Sequence, residues 1–252
     1  MIRGHSTMVD SSGAQIAALQ AELADLRAEM QQFTATVSHD LRAPLRHIAA
    51  YAQLVQEDAG PQLDAEVQGF LSTITDSARH MGVLLDGLTA LSRVGAAPLT
   101  LCPVPLQDLV QSVCDALVAQ HPHRRVDWRI AADLPVVQAD PNLLRQALQQ
   151  VLDNALKFTA ARECAVIEVH AAPGVDGNRV NLLVRDNGVG YNPALQAQLF
   201  RVFGRLHSAS QFAGIGMGLV LTRKMLQRCG GSVDSDGLVD GGCCVRMSLP
   251  LT

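Results

Sequence analysis

The stretch Ser38-His39-Asp40-Leu41-Arg42-Ala43-Pro44-Leu45 decides the fold of the first part of the chain, because one apolar stripe runs into it and out of it again. On its N-terminal side the apolar residues recur as Ile16, Leu19, Leu23, Leu26, Met30, Phe33 and Val37, in alternating steps of three and four with polar residues between. That is a heptad seam, and three heptads at this spacing favour a parallel coiled coil over an ordinary amphipathic surface helix. On the C-terminal side the stripe continues through Leu41, Leu45 and Ile48, as far as Asp58-Ala59-Gly60-Pro61. Pro44 removes one backbone donor and crowds the carbonyl of Asp40, so a bend is expected there. A helix from Gly13 to Asp58 would be on the order of 65–70 Å long, too long to be stabilised by its own backbone alone. It needs partners along its length.

A second periodicity runs through Val67, Phe70, Ile74, Ala78, Met81, Leu85, Leu88 and Leu91 and ends at Gly95-Ala96-Ala97-Pro98. Two such helices joined by a Gly-Pro turn make a hairpin, and two hairpins side by side make a four-helix bundle, hence a homodimer. Charge also changes at the break: residues 1–95 carry six Arg against eleven acidic residues, and residues 96–252 carry fourteen basic against thirteen acidic. We expect a leader or tag without order over 1–13, a coiled-coil signal helix over 14–37, a helical hairpin domain over 38–95, and a second domain over 96–252.

Composition fits two packed domains. Hydrophobic residues make up 48% of the 252 and charged residues 17%, which excludes a disordered or collagen-like chain. The formal charge of −4 argues against a chain built to grip nucleic acid or an anionic membrane. No run of about eighteen apolar residues is present, so no membrane-inserted helix is expected. The six cysteines form no CxxC pair and follow no secretory signal, which reads as reduced buried thiols in a cytoplasmic protein. Only Lys157 and Lys224 are lysine, so a lysine within a candidate site merits inspection.

The second region alternates in type. A short extended run over Thr100–Val104 precedes an amphipathic helix from Leu106 to Ala119, with strands expected at Val126–Ile130 and Val136–Ala139. Asp140 caps a helix that has Pro141 at its first position and runs to about Ala160. Strands follow at Val166–Ala171 and Val180–Arg185. Asn192-Pro193 opens another helix, Gly218–Cys229 is helical, and strands at Ser232–Ser235 and Cys244–Leu249 close the chain. The order gives a mixed sheet with helices on one face, an α/β sandwich.

Four clusters in this framework carry chemistry. His39 lies about 200° around the helix from both Val37 and Leu41, so it points away from the seam, beside Asp40. By itself that pair reads as a solvated surface. Asn154 and Lys157 share one helix face within Asp153-Asn154-Ala155-Leu156-Lys157-Phe158-Thr159, an oxygen for a metal and a cation for a phosphate, or simply a polar face. Asp186-Asn187-Gly188-Val189-Gly190 ends an apolar strand; it reads as a tight turn, or as a carboxylate for an exocyclic amine with Gly188 and Gly190 admitting a purine. Gly214, Gly216 and Gly218 open a helix whose free amides suit a phosphate chain. Between the last two lie Phe200 and Phe203 and a segment, Leu206–Ala213, small and polar enough to be a mobile lid.

Taken in order, SHDLRAPL, DNALKFT, DNGVG, LFRVF and GIGMGL resemble the H, N, G1, F and G2 boxes of the histidine protein kinases of two-component signalling. The resemblance covers about Ile16 to Thr252. The wording around SHDLRAPLRHI and FGRLHS is similar to kinases found behind phytochrome and PAS sensors. It implies a dimeric phosphotransfer bundle followed by a Bergerat or GHKL-type ATP-binding domain. By the same resemblance His39 is the nucleophile toward ATP, with Asp40 holding its Nδ1 proton. Asn154 ligates Mg²⁺, Lys157 steadies phosphate charge, Asp186 recognises adenine, and the Gly214–Gly218 backbone covers the phosphates. Gly188, Gly190, Phe200 and Phe203 join the ATP-binding set. The phosphoryl group passes to an aspartate of a response regulator receiver domain, and input comes from an upstream sensor domain or a separate sensory partner.

The sequence departs from the family pattern at three places. Gln150 stands where many members have a second Asn, Ala43 where members with strong phosphatase activity have Thr or Asn, and Ile215 where a Thr is usual. Two rival readings remain. A gyrase- or chaperone-type ATPase would share the last three motifs but has no place for His39, and a non-catalytic dimeric relay would keep the bundle with a degenerate ATP site.

Overall fold

The computed structural model describes residues 6–252 except 97, 175 and 209, with the side chains of 6–14, 16, 17, 20 and 27 also outside the description. Of the segment expected to be a disordered leader, residues 1–5 lie outside the described residues, as does the side chain of Ile16 at the head of the seam. The chain divides into two compact units, Met1–Ala96 and Ala97–Thr252.

In the first unit, helix α1 spans Ser6–Ala59 and helix α2 spans Ala65–Ala96, joined by a 3-10 turn at Gly60–Gln62. The helix starts earlier than the heptad pattern implies, so residues 6–13 are helical and not a disordered leader. No proline occurs before Pro44, and extending an existing helix costs little once it is nucleated. Pro44 lies inside α1 without ending it. The two helices pack through Ala52, Ala78, Leu85 and Val94, which are buried. Among the described residues, polar contacts between them include Arg42 Nη2 donating to Asp86 Oδ1 at 3.0 Å and Ser92 Oγ to the Gln31 carbonyl at 3.2 Å. The seam stays open in the single chain, with Met30 67% and Phe33 65% exposed and Leu19, Leu23, Leu26 and Ile48 also exposed.

The second unit is an α/β sandwich. Strand β1 (Cys102–Pro105) pairs antiparallel with β3 (Val136–Ala139), and helix α3 (Leu106–Gln120) follows β1. The main sheet has five strands in the order β2-β4-β5-β7-β6, formed by Val126–Ile130, Ala165–Pro173, Arg179–Asp186, Gly242–Pro250 and Ser232–Leu238. Only β2 and β4 run parallel; the other neighbours are antiparallel. Helix α4 (Pro141–Phe158) packs on β4 and β5, and helix α5 (Gly218–Arg228) on α4 and β6.

Local chemistry explains these bounds. Asp140 Oδ1 accepts from Asn142 N and Leu143 N at 3.0 Å each, satisfying two of the donors that a helix start leaves free, and its Oδ2 takes Thr100 N at 2.9 Å. Alternation along β4 and β5 puts Ile167, Val169, Leu182 and Val184 under α4, where Leu144, Leu148, Val151 and Leu152 are buried. Asp186 falls on the same inward face as Leu182 and Val184, so a carboxylate ends up where the alternation calls for an apolar residue. The helix expected at Asn192-Pro193 shortens to a 3-10 run over Pro193–Gln198 with no buried residue, too little apolar face to sustain further turns. All six cysteines are free; Cys114, Cys229 and Cys244 are buried and Cys102, Cys164 and Cys243 are half-buried, so the buried-thiol expectation holds in full only for the first three.

Candidate functional site

In the helical unit His39 projects from α1 with its side chain 83% exposed, and its Nδ1 lies 3.1 Å from Asp40 Oδ1. With the proton on Nδ1, that carboxylate accepts it and Nε2 is left with its lone pair on an exposed ring. One helical turn on, Ala43 offers only a methyl.

The sandwich assembles a second set. Helix α4 brings Asn154 and Lys157 onto one face, and Lys157 Nζ donates to Asn154 Oδ1 at 2.9 Å. Burial holds the Lys157 ammonium below its usual range; Asp153 opposes this and Arg205 adds to it. The same ammonium lies 4.5 Å from the Phe158 ring centre. The glycine run meets this face: a Cβ on Gly214 would be 3.5 Å from Lys157 Nζ, and one on Gly218 would be 2.9 Å from Gln150 Oε1 and 3.3 Å from Asn154 Nδ2. Gly214 has φ 125° and Gly216 φ 72°, and a Cβ on Gly216 would meet Gly204 O at 2.3 Å, so no other residue keeps this course.

At the end of β5, Asp186 is 7% exposed. Its Oδ1 accepts from Gly188 N at 2.8 Å and from Cys243 N at 3.3 Å. Burial pushes its carboxyl up to about 6 despite those two donors. Gly190 (φ 58°) could not be replaced, since a Cβ there would sit 1.8 Å from Leu238 O. Phe158 links the two halves of the set: its carbonyl takes Val189 N at 3.2 Å, and its backbone abuts Gly188.

Of the two phenylalanines, Phe203 abuts the glycine run at Gly216, and Phe200 packs further along α5. The Phe200 ring packs under the Arg223 guanidinium of α5 at 5.6 Å, and its carbonyl accepts from Arg223 Nη2 at 2.7 Å. Phe203 adopts φ 61°, in the left-handed region, immediately before the Gly204 carbonyl that crowds Gly216.

Several site residues escaped the motif reading. Arg205 donates to the carbonyls of Gly214 and Phe212. His207 Nε2 lies 2.9 Å from Gly190 O, and the His207 and Phe212 rings pack on Phe158 at 5.5 and 5.0 Å between centres. The segment expected as a small, polar lid thus carries two rings into the site. Tyr191, 6% exposed, donates to the Ser235 carbonyl at 2.8 Å and packs on Gly237. Burial lifts the Cys243 thiol, whose backbone braces Asp186, to about 12. Arg205 and His207 sit in FGRLHS and Phe212 in Leu206–Ala213, stretches already singled out, whereas Tyr191 and Cys243 sit in neither.

As a test for a divalent cation, the donors gathered at Gly218 are the amides of Asn154 and Gln150, and no cluster of three His, Cys, Asp or Glu side chains occurs among the described residues. Gln150 Oε1 and Asn154 Oδ1, the latter now accepting from Lys157 Nζ, are neutral oxygens of the kind that suits Mg²⁺, which keeps waters and borrows phosphate oxygens where a protein offers few ligands. The residues fit that ion. No helix among the described residues is long and apolar enough to cross a membrane.

Comparison with known proteins gives two matches in order along the chain. The His Kinase A phospho-acceptor domain matches residues 29–97, and the histidine kinase-, DNA gyrase B- and HSP90-like ATPase family matches residues 139–252. Cyanobacterial phytochrome B of Nostoc sp. is 31% identical over 224 residues, 87% of this chain and 29% of that protein. The circadian input-output histidine kinase CikA of Synechococcus elongatus is 30% identical over 229 residues, 87% of this chain and 30% of that protein. The chain therefore spans under a third of the length of these curated relatives. Among solved structures, full-length ShkA in complex with AMPPNP is similar at a TM-score of 0.59 and 29% identity over 87% of this chain and 45% of that one. The Acinetobacter baumannii histidine kinase AdeS, 16% identical at a TM-score of 0.58 over 85% of this chain and 98% of that one, shares the fold. A phospho-acceptor helical hairpin followed by an ATPase sandwich, matched in that order by both family descriptions and by sensor kinases over most of its length, makes this chain a sensor histidine kinase core.

Proposed function

We propose that the chain phosphorylates His39 from Mg-ATP and passes the phosphoryl group to an aspartate of a response regulator receiver domain. The observation that carries this reading is the convergence of Asn154, Lys157 and the Gly214–Gly218 backbone on one face of α4, bridged through Phe158 to the buried carboxylate of Asp186. One end of the set suits a phosphate chain and the other a purine amine. The exposed His39–Asp40 pair supplies the acceptor.

In this account Asp186 Oδ2 accepts from the adenine amine, while Gly188 and Gly190 keep the base edge free of side chains. Lys157 leaves Asn154 to meet phosphate, and its partly desolvated ammonium acts more strongly there than it would in water. The amides at the start of α5 add donors aimed at the same charge. Asn154 and Gln150 would hold Mg²⁺, which when bound neutralises charge on the phosphate oxygens. At the acceptor, Asp40 keeps the proton on Nδ1, so Nε2 presents its lone pair to the γ-phosphorus and the carboxylate supports the imidazolium that develops. A bond forms from Nε2 to phosphorus as the bond from phosphorus to the ADP oxygen breaks.

We infer a homodimer closed over the open seam of α1, since Leu23, Leu26, Met30 and Phe33 form an apolar face that a second copy can cover by heptad packing. We assign 14–37 to the signal helix, 38–95 to the phosphotransfer hairpin and 96–252 to ATP binding. Input would come from an upstream sensor domain or a separate sensory partner, and the cytoplasm, with its ATP and reduced thiols, is the compartment that fits. Incubation with γ-labelled ATP and Mg²⁺ should leave acid-labile, base-stable phosphate on the chain that a receiver domain can remove. Nucleotide binding without any label would mean the chain is a relay and not a kinase.

A further inference from the structure

The guanidinium of Arg162 does something that no motif assigns. It follows α4 by four residues and reaches three backbone carbonyls on two other loops. Nε donates to Asn187 O at 2.8 Å, and Nη2 donates to Gly188 O and to Asp240 O, each at 3.1 Å. Asn187 and Gly188 are the two residues directly after Asp186, and Asp240 sits at positive φ in the hairpin between β6 and β7. That hairpin is the other wall of the carboxylate site: Asp240 N donates to Val189 O at 2.8 Å, and a Cβ on Gly242 would lie 1.9 Å from Asp186 O.

Arg162 is itself anchored. Its backbone N donates to Thr159 O at 2.8 Å, and Arg124 donates to the carbonyls of both Arg162 and Thr159. The Asn187 side chain is already committed, accepting from Val166 N at 3.0 Å and donating to Cys164 O at 3.2 Å. The peptide planes after Asp186 are therefore set by Asn187 on the strand side and by Arg162 on the open side. One of those planes carries the Gly188 N–H that braces Asp186 Oδ1.

We propose that Arg162 is a positioning residue for purine recognition: by tying the Asn187 and Gly188 carbonyls to the β6–β7 hairpin, it fixes the orientation in which Asp186 meets the base. A planar fork with several fixed donors can serve three carbonyls at once, whereas an ammonium on a flexible stem cannot hold the same geometry. The inference rests on the reading of Asp186 as the acceptor of an exocyclic amine.

The test compares ATP with inosine triphosphate, which has the same sugar and phosphates but a carbonyl in place of the amine. Wild-type chain should bind ATP more tightly than inosine triphosphate. Failure there overturns the Asp186 reading itself, and with it this inference. If wild type discriminates, Arg162→Met, which keeps the apolar stem, should weaken ATP by about tenfold while changing inosine triphosphate by less than about threefold. Arg162→Lys should recover only part of the discrimination. Equal loss of both nucleotides in both variants would mean that Arg162 only holds the domain together. Unaltered discrimination would mean that it does nothing for the base. Either result overturns the proposal.

Discussion

Replacing Asp186 with Asn separates two consequences of burying a carboxylate. Its pKa rises from an ordinary value of 3.8 to about 6, chiefly by burial. Between those values the folded chain binds more protons at this site than the unfolded chain does. The site's contribution to stability is therefore complete below about pH 4 and is lost as the pH climbs through about 6. At 1.36 kcal/mol per pH unit, the cost carried at pH 8 is at most about 3 kcal/mol. An amide oxygen still accepts from Gly188 N and Cys243 N, so the Asp186→Asn chain keeps the turn. Without nucleotide it should be more stable than wild type at pH 8, by about 1–3 kcal/mol, and its stability should lack the decline between about pH 4 and 6. Nucleotide affinity should move the other way. The amide nitrogen would face the adenine amine, donor against donor, and a lost hydrogen bond to a charged group is worth about 1.5–3 kcal/mol, or roughly 10- to 150-fold in Kd. In wild type, ATP affinity should also fall below about pH 6 as the acceptor oxygen takes a proton; the variant should be flat there. Urea unfolding across this pH range, with calorimetric ATP titration of both chains, measures each half. An Asn variant that binds ATP as well as wild type, or whose stability follows pH as wild type does, refutes the reasoning.

Further outcomes follow from single positions. Gly190→Ala places a Cβ 1.8 Å from Leu238 O at φ 58°, so thermal or urea melts should show a loss of more than about 2 kcal/mol together with weakened nucleotide binding. Phe33→Glu puts a charge on a residue 65% exposed in the single chain, and sedimentation should show the dimer dissociating at concentrations at least about tenfold above those for wild type. With Ala43 where an oxygen could orient water, the chain should dephosphorylate a phosphorylated receiver slowly, and Ala43→Thr should raise the rate about tenfold. Fast Mg-dependent dephosphorylation that ignores position 43 would contradict this.

Much of the architecture is written in local chemistry. The heptads of α1 and the Asp140-Pro141 start of α4 each depend on a few neighbouring residues, and the strands Val126–Ile130 and Val136–Ala139 fall at the expected bounds. The contact between Asn154 and Lys157 was legible for the same reason, since three residues on a helix share a face. What the sequence hid depends on distant backbone. Arg162 finds its carbonyls 25, 26 and 78 residues away, and Tyr191 finds Ser235 44 residues away; no spacing rule announces a side chain whose partner is a main-chain oxygen. The helix expected after Asn192-Pro193 failed for a related reason. Its cap is sound, with Asn192 accepting from Ala194 N at 3.0 Å, but the turns behind it bury nothing. Capping starts a helix, and packing has to continue it.

The central claim is that His39 accepts the γ-phosphoryl group of ATP. Incubating wild type and His39→Gln with γ-labelled ATP and Mg²⁺, then washing in acid and in base, tests it most directly. Wild type should carry phosphate that survives base and is lost in acid, and His39→Gln should carry none while binding ATP as tightly as wild type. Base-stable label that persists in the His39→Gln chain would contradict the account.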